Sequence, residues 1–210
     1  MRPSVALFRA PPKVMLVAQA DNNNGATSPT FTTYRKGDLL VAFAGANSSA
    51  VVPTLPSGWT QIDTNSGNSC GAITAYRFAA TDGADTLGTW TTANGKSYRA
   101  FRNVDRISPI GGHALNNGAS ASTVAHPAIT QSRQGHNHML TWVMTRANNA
   151  GQRSGTTTDY QSTSGLRART APATTNPLTA TWATDSPAND TGNTSGHNVG
   201  SIEICGKRRI

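Results

Sequence analysis

The sequence predicts an all-β protein, an antiparallel β-sandwich of Greek-key or jelly-roll type with about eight or more strands. Three observations predict it. First, the apolar residues alternate with a period of two. Leu39, Val41 and Phe43 share one strand face while Leu40, Ala42 and Ala44 take the other, and Leu140, Trp142 and Met144 repeat the pattern. Second, turn residues punctuate the chain: Asp21 to Gly25, Gly37-Asp38, Thr81 to Asp85 and Asn94-Gly95. Third, the composition is wrong for helices. Thr, Ser, Asn, Gly and Ala dominate, Glu203 is the only glutamate, and no segment shows helical periodicity.

In chain order, Met1 to Lys13 holds three prolines and three basic residues before any regular pattern. It is expected to be an extended basic arm, because proline cannot serve a central strand. A leader peptide is the competing reading, with Ala18-Gln19-Ala20 as its cleavage site. Pro11-Pro12 splits the apolar run, so Val14 to Ala20 is assigned to the first strand. Thr30 to Tyr34 follows as a short strand, and Leu39 to Ala44 as the first core strand. Pro56-Ser57-Gly58 then turns the chain into Trp59 to Asp63. Cys70 to Ala80 is a long strand with Tyr76 and Phe78 on one face. Thr86 to Thr91 and Lys96 to Asn103 are expected to form a hairpin around Asn94-Gly95. Asn103 to Gly118, with Pro109 and Gly111-Gly112, reads as a connection. Val124 to Thr130 contains Pro127 and is expected to be an edge strand or a crossover. Met139 to Arg146 is the second core strand, and Thr156 to Ser162, Leu166 to Thr170, Leu178 to Thr184 and Val199 to Cys205 complete the set. The domain then spans Val14 to Cys205, and residues 206–210 form a basic tail.

A faint internal repeat accompanies this order. Each half runs from a core strand through a second strand to a Thr-Trp pair and a last strand. Thr89-Trp90 and Thr181-Trp182 occupy matching places. Two four-strand halves of this kind are expected to build an eight-stranded sandwich of Greek-key or jelly-roll type.

Charged residues make up 13% of the chain, about half the usual share. The expected surface is neutral and hydroxyl-rich, suited to packing against neighbours. The formal net charge of +8 comes mainly from arginines scattered along the sequence, with one cluster, Lys207-Arg208-Arg209. Nucleic acid is not favoured as a partner, for there is no basic helix, no RNA-binding aromatic signature and no zinc-finger spacing. Acidic neighbours or bacterial surface polysaccharide suit the charge better. No apolar run approaches the ~20 residues of a membrane span, so membrane insertion is not expected. Cys70 and Cys205 are expected to be buried thiols, with a disulfide as the alternative.

One set of residues carries a resemblance. It comprises Gly37-Asp38-Leu39-Leu40-Val41-Ala42-Phe43, Pro56-Ser57-Gly58-Trp59-Thr60, Ala75-Tyr76-Arg77, Thr89-Trp90, Tyr98 to Asp105 and Pro109-Ile110-Gly111. In this order they resemble the β-sandwich structural proteins of tailed bacteriophage virions, clearly over Gly37 to Gly111 and loosely over Met139 to Cys205. The resemblance implies a non-enzymatic tail, fibre, baseplate or head-decoration protein on the particle exterior. It implies other virion proteins as partners, a homo-oligomer with a trimer favoured, no cofactor, and no catalytic residues. The basic, proline-rich N-terminus departs from the pattern.

Individual residues suggest further chemistry. His136 and His138 fall at i and i+2, so an extended chain would place both imidazoles on one face, where three chains could share a metal ion. Some trimeric phage fibres hold iron through such pairs. Asp82-Gly83-Ala84-Asp85 and Asp185 to Asn193 offer oxygen ligands but match no calcium loop. A glycan hydrolase would need two facing carboxyl groups, and Asp63, Asp105 and Glu203 are not placed by sequence. No nucleophile elbow is present. Trp59 and Trp142 are candidate platforms for stacking sugars in a lectin-like adhesion module, although a sandwich core wants large side chains at the same places. Arg2, Phe8, Arg9 and Lys13 on the arm, with Lys207, Arg208 and Arg209 on the tail, are the expected assembly contacts.

Overall fold

Alternating side chains give a strand two different faces, and here two such arrays meet across one apolar layer. The computed structural model describes residues 12–22, 28–46, 50–68, 70–119, 126–133, 136–145, 160–161, 166–172 and 196–208. The first sheet is built from β1 (Met15–Asn22), β2 (Leu39–Ala46), β3 (Thr60–Gly67), β4 (Cys70–Phe78) and β5 (Gly95–Arg102). The second is built from β6 (Ile110–Gly118), β7 (His138–Thr145), β8 (Tyr160–Gln161), β9 (Leu166–Pro172) and β10 (His197–Ile204). All pairings are antiparallel. The expected all-β sandwich is present. Its strands run β1-β5-β2-β4-β3 in one sheet and β6-β10-β7-β9-β8 in the other. Each sheet comes from one contiguous half of the chain, and the two halves share one strand order. Thr181-Trp182 lies outside the described residues.

The layer between the sheets is filled from both sides. Leu39, Val41, Phe43 and Phe101 of the first sheet meet Leu140, Trp142, Met144, Ile202 and Ile204 of the second. The Phe43 and Trp142 rings lie 5.0 Å apart. Glycine makes room for two of the intruders. A Cβ on Gly200 would sit 2.6 Å from the Trp142 ring, and one on Gly45 would overlap the Met144 thioether. One side of the sandwich is stitched by polar side chains. Asn65 Nδ2 donates to the Leu115 carbonyl at 3.1 Å, and Asn117 Nδ2 donates to the Gly67 carbonyl at 3.0 Å.

The first sheet is buried on its other face too. Leu40, Ala42, Ala44, Ile73, Tyr98 and Ala100 are covered by Phe31, Tyr34, Trp59, Leu87 and Trp90. This second core explains two departures from expectation. Thr30 to Tyr34 and Thr86 to Thr91 are not strands. They cross the face of the sheet and drop aromatic and aliphatic side chains onto it, so their apolar spacing mimics a strand. Asn94-Gly95 consequently does not join two strands; Asn94 N instead donates to the Gly45 carbonyl. Residues 110–118, expected as a connection, form β6. Gly111 and Gly112 let it run beneath Glu203, Ser132 and Thr130, where a Cβ would collide. Residues 126–129 form no strand, and Leu178 to Thr184 lies outside the described residues. The remaining expected strands are present; of Thr156 to Ser162, only Tyr160–Gln161 (β8) is among the described residues.

Valine in place of Gly200 must displace the Trp142 indole from the layer that joins the sheets. Gly200→Val is expected to destabilise the protein by about 2 kcal/mol, read as a lower midpoint of urea unfolding. An unchanged midpoint would show that the indole has room to move.

Candidate functional site

Strand register decides which loops share an end of the sandwich. Met15 pairs with Arg102, Leu39 with Phe78 and Phe101, and Ile204 with His138 and Ile110. The segments 12–14, 35–38, 79–85, 103–109, 136–137 and 205–208 therefore gather at one end. Lys13, Arg35, Lys36, Arg106, Lys207 and Arg208 are all exposed there, against one exposed acid among the described residues, Asp82. Asp82 accepts the Lys36 amide at 2.6 Å. Lys13, Arg35, Lys36 and Lys207 enter no ion pair among the described residues. At the opposite end, the described loop residues carry no exposed charge, and Lys96 nearby is fully buried.

Two carboxylates build this basic end. Asp38, at the entry to β2, accepts Arg102 Nε at 2.9 Å and Nη2 at 2.6 Å, and also the Arg35 amide at 2.8 Å. Asp105 lies in the junction between the two halves. It accepts the Ile107 amide at 2.8 Å, the Ser108 amide at 3.2 Å and Arg133 Nη1 at 2.8 Å, with Arg208 Nε 3.5 Å away. Burial alone would raise the Asp105 carboxyl. The two amides and the Arg133 charge outweigh it and hold the group below its ordinary value of 3.8.

The segment after β10 laces this junction in place. Asp105 N donates to the Cys205 carbonyl, Cys205 N to Pro109, and Lys207 N to Asn103. Asn103 takes a left-handed conformation at φ 64° and donates from its side chain to the Lys13 carbonyl. The tightly held turn lifts Ile107 into solvent, 93% exposed, and Met15 at the same end is 52% exposed.

The structure brings three expected assembly residues together, Lys13, Lys207 and Arg208. Arg2, Phe8, Arg9 and Arg209 lie outside the described residues. Arg35, Lys36, Arg106 and Ile107 were not singled out by sequence, since only register brings them beside the tail. Their one sequence signal is the Arg-Asn-Val-Asp turn that precedes Ile107.

The two candidate sugar platforms need correction. Trp142 is fully buried between the sheets, and Trp59 is 7% exposed. Trp59 donates its Nε1–H to the Leu87 carbonyl at 3.1 Å, packs edge-on to Trp90, and lies under the Arg77 guanidinium. Neither offers an open ring face. The histidine pair is also corrected. His138 is buried with its ring 5.1 Å from Phe101, whereas His136 lies before β7 and is half-buried. An imidazole turned into the core cannot join a site shared between chains.

No group of three or more His, Cys, Asp or Glu suited to a metal occurs among the described residues. The Asp85 carboxylate accepts the Ala80 and Thr81 amides, which is turn chemistry; residues 185–193 lie outside the described set. Asp63 is held by His113 at 2.9 Å and Asp105 by Arg133 at 2.8 Å, so each carboxylate is engaged by its own partner. Cys70 and Cys205 are free thiols, and burial pushes both up from 9.0.

A second feature lies over the outer face of the first sheet. Segments 28–32 and 83–89 enclose an open cleft of 420 Å³. Thr30, Thr32, Thr86 and Thr89 border it as exposed hydroxyl residues. Ser28 is anchored, donating to the Gly88 carbonyl at 2.8 Å and bonded to the Tyr98 hydroxyl at 2.7 Å. Burial pushes the Tyr98 hydroxyl up to about 12.

A carboxyl held low stabilises the fold fully above its ordinary value. That contribution is lost as pH falls through the lower, folded value. Asp105→Asn is therefore expected to cost about 2 kcal/mol at neutral pH and to flatten the loss of stability below pH 3.8. Chemical unfolding across an acid pH series measures both.

Compared with known proteins, the chain matches no family model, no curated protein and no solved structure.

Proposed function

We propose that the protein is a non-enzymatic structural component of a tailed-bacteriophage virion, carried on the particle exterior and working as an oligomer, with a trimer favoured. One observation carries the non-enzymatic part. Every acidic side chain among the described residues already accepts a hydrogen bond from the protein itself. Asp21 holds Arg99, Asp38 holds Arg102, Asp63 holds His113, Asp82 accepts the Lys36 amide, and Asp85 closes a turn. Asp105 fixes the junction. Glu203 accepts the Gly112 and Ser132 amides and the Asn137 side chain. A glycan hydrolase needs a free acid facing a second carboxylate, and these groups are committed to the fold.

The residues that carry the virion resemblance have architectural work of the kind such a protein needs. Gly37-Asp38 turns the chain into β2, and Leu39 to Phe43 supplies its first residues, buried on both faces. Trp59 and Trp90 cover the first sheet, and Arg102 to Asp105 ties the two halves together. Mass spectrometry of purified particles tests the reading, with immunogold labelling to locate the protein. Stoichiometric recovery with particles and surface labelling is expected. Recovery only as free protein in the lysate would overturn it.

A second reading, a lectin-like host-adhesion module, is favoured by the cleft alone. Its hydroxyl border and lack of free charge suit a neutral polysaccharide unit. Binding on a glycan array that Thr89→Arg abolishes would support this reading, and an array without signal would dismiss it.

A further inference from the structure

We infer that the basic end of the sandwich is a docking surface for an acidic protein face with a shallow apolar recess, and that Ile107 fills the recess. The inference goes beyond the virion reading and does not depend on it.

Charge complementarity names the sign of the partner. Among the described residues, six exposed cations share this end with one exposed acid, Asp82, and the two other acids of the junction and β2 entry are engaged by Arg133 and Arg102. Like charges gathered at one end repel one another, and an acidic surface relieves that repulsion. The layout then selects protein over other polyanions. Ile107 stands beside Arg106 on the turn that Arg208 approaches through Asp105. An apolar side chain on a turn flanked by cations resembles the centre and rim of a protein interface.

A phosphodiester backbone has no apolar counterpart for Ile107, and no aromatic residue is exposed here among the described residues for base stacking. Two apolar side chains, Ile107 and Met15, bury too little surface to hold a bilayer. The turn is also prepared in advance. Asp105 accepts both the Ile107 and Ser108 amides, and Arg133 pins Asp105 while donating to the Ser108 carbonyl. Docking therefore orders little that is not already ordered.

The full chain is tested by fluorescence anisotropy against four probes. These are a labelled peptide of glutamates interspersed with leucines, polyglutamate, a short DNA duplex, and phosphatidylserine–phosphatidylcholine vesicles. The glutamate–leucine peptide is expected to bind most tightly and to weaken as salt rises. Ile107→Ser is expected to weaken that peptide about tenfold and to leave polyglutamate unchanged. Lys207→Glu with Arg208→Glu is expected to weaken both.

Failure of the peptide to bind overturns the inference, as does an Ile107→Ser variant that binds it like the parent. Tighter binding of duplex or vesicles also overturns it and assigns the surface to nucleic acid or membrane. If a variant does not fold, hydrogen exchange on the parent protein decides. Protection of residues 103–109 by the peptide supports the inference, and unchanged exchange there overturns it.

Discussion

The rest of the structure depends on a single wedge, the Trp142 indole seated over Gly200 and against Phe43. Trp142 is on β7 and Phe43 on β2, so the contact joins the middles of two sheets that exchange no strand. Removing the space above Gly200 or the ring opposite would leave each sheet with an exposed apolar face. Nearby, Met144 packs over Gly45 of the other sheet. Gly200 sits beside Trp142 on the neighbouring strand of the same sheet, whereas Gly45 faces Met144 from the other sheet, so glycine makes room for large side chains both within and across the sheets.

That interlock leaves the outer faces to be solved separately. On the first sheet the solution is irregular chain. Phe31, Tyr34, Leu87 and Trp90 arrive from segments with no ladder of their own and bury the far side of β2 and β5. Tyr98 and Ser28 join the sheet to its cover by a hydroxyl pair. At the basic end, polar chemistry takes over this role. Glu203, fully buried, receives amides from β6 and from residue 132, and Asn137 links it to the Gly206 amide. The only glutamate of the chain is thus a structural clamp, and the cations around it are free to face outward.

How much of this was legible follows from what each residue has to satisfy. β2, β4, β7 and β10 were visible because a strand buried between layers must be apolar at alternate positions. β6 was hidden: its glycines and asparagines serve close approach and edge stitching, and they look like a loop. Thr86 to Thr91 misled in the other direction, because a covering loop needs the same large apolar residues as a strand. Trp59 and Trp142 show the limit for sites. A tryptophan that stacks on sugar and one that fills a core have the same sequence neighbours, and only the packing around them separates the two. The basic end was half legible. The tail cluster stood out, whereas Arg35, Lys36 and Arg106 join it only through the antiparallel register of β1, β5 and β2.

The shared strand order has a consequence for how the chain assembles as it is made. In each half, the strand latest in sequence lies inside its sheet: β5 between β1 and β2, β10 between β6 and β7. Neither ladder can close until its last strand has left the ribosome. The first sheet is complete once Arg102 emerges. β6 and β7 must then wait, unpaired along their facing edges, through the synthesis of everything up to β10. Such long-range pairing is slow and exposes strand edges meanwhile. The finished first sheet offers β7 an apolar surface on which to wait, so the early half can act as a template for the late one.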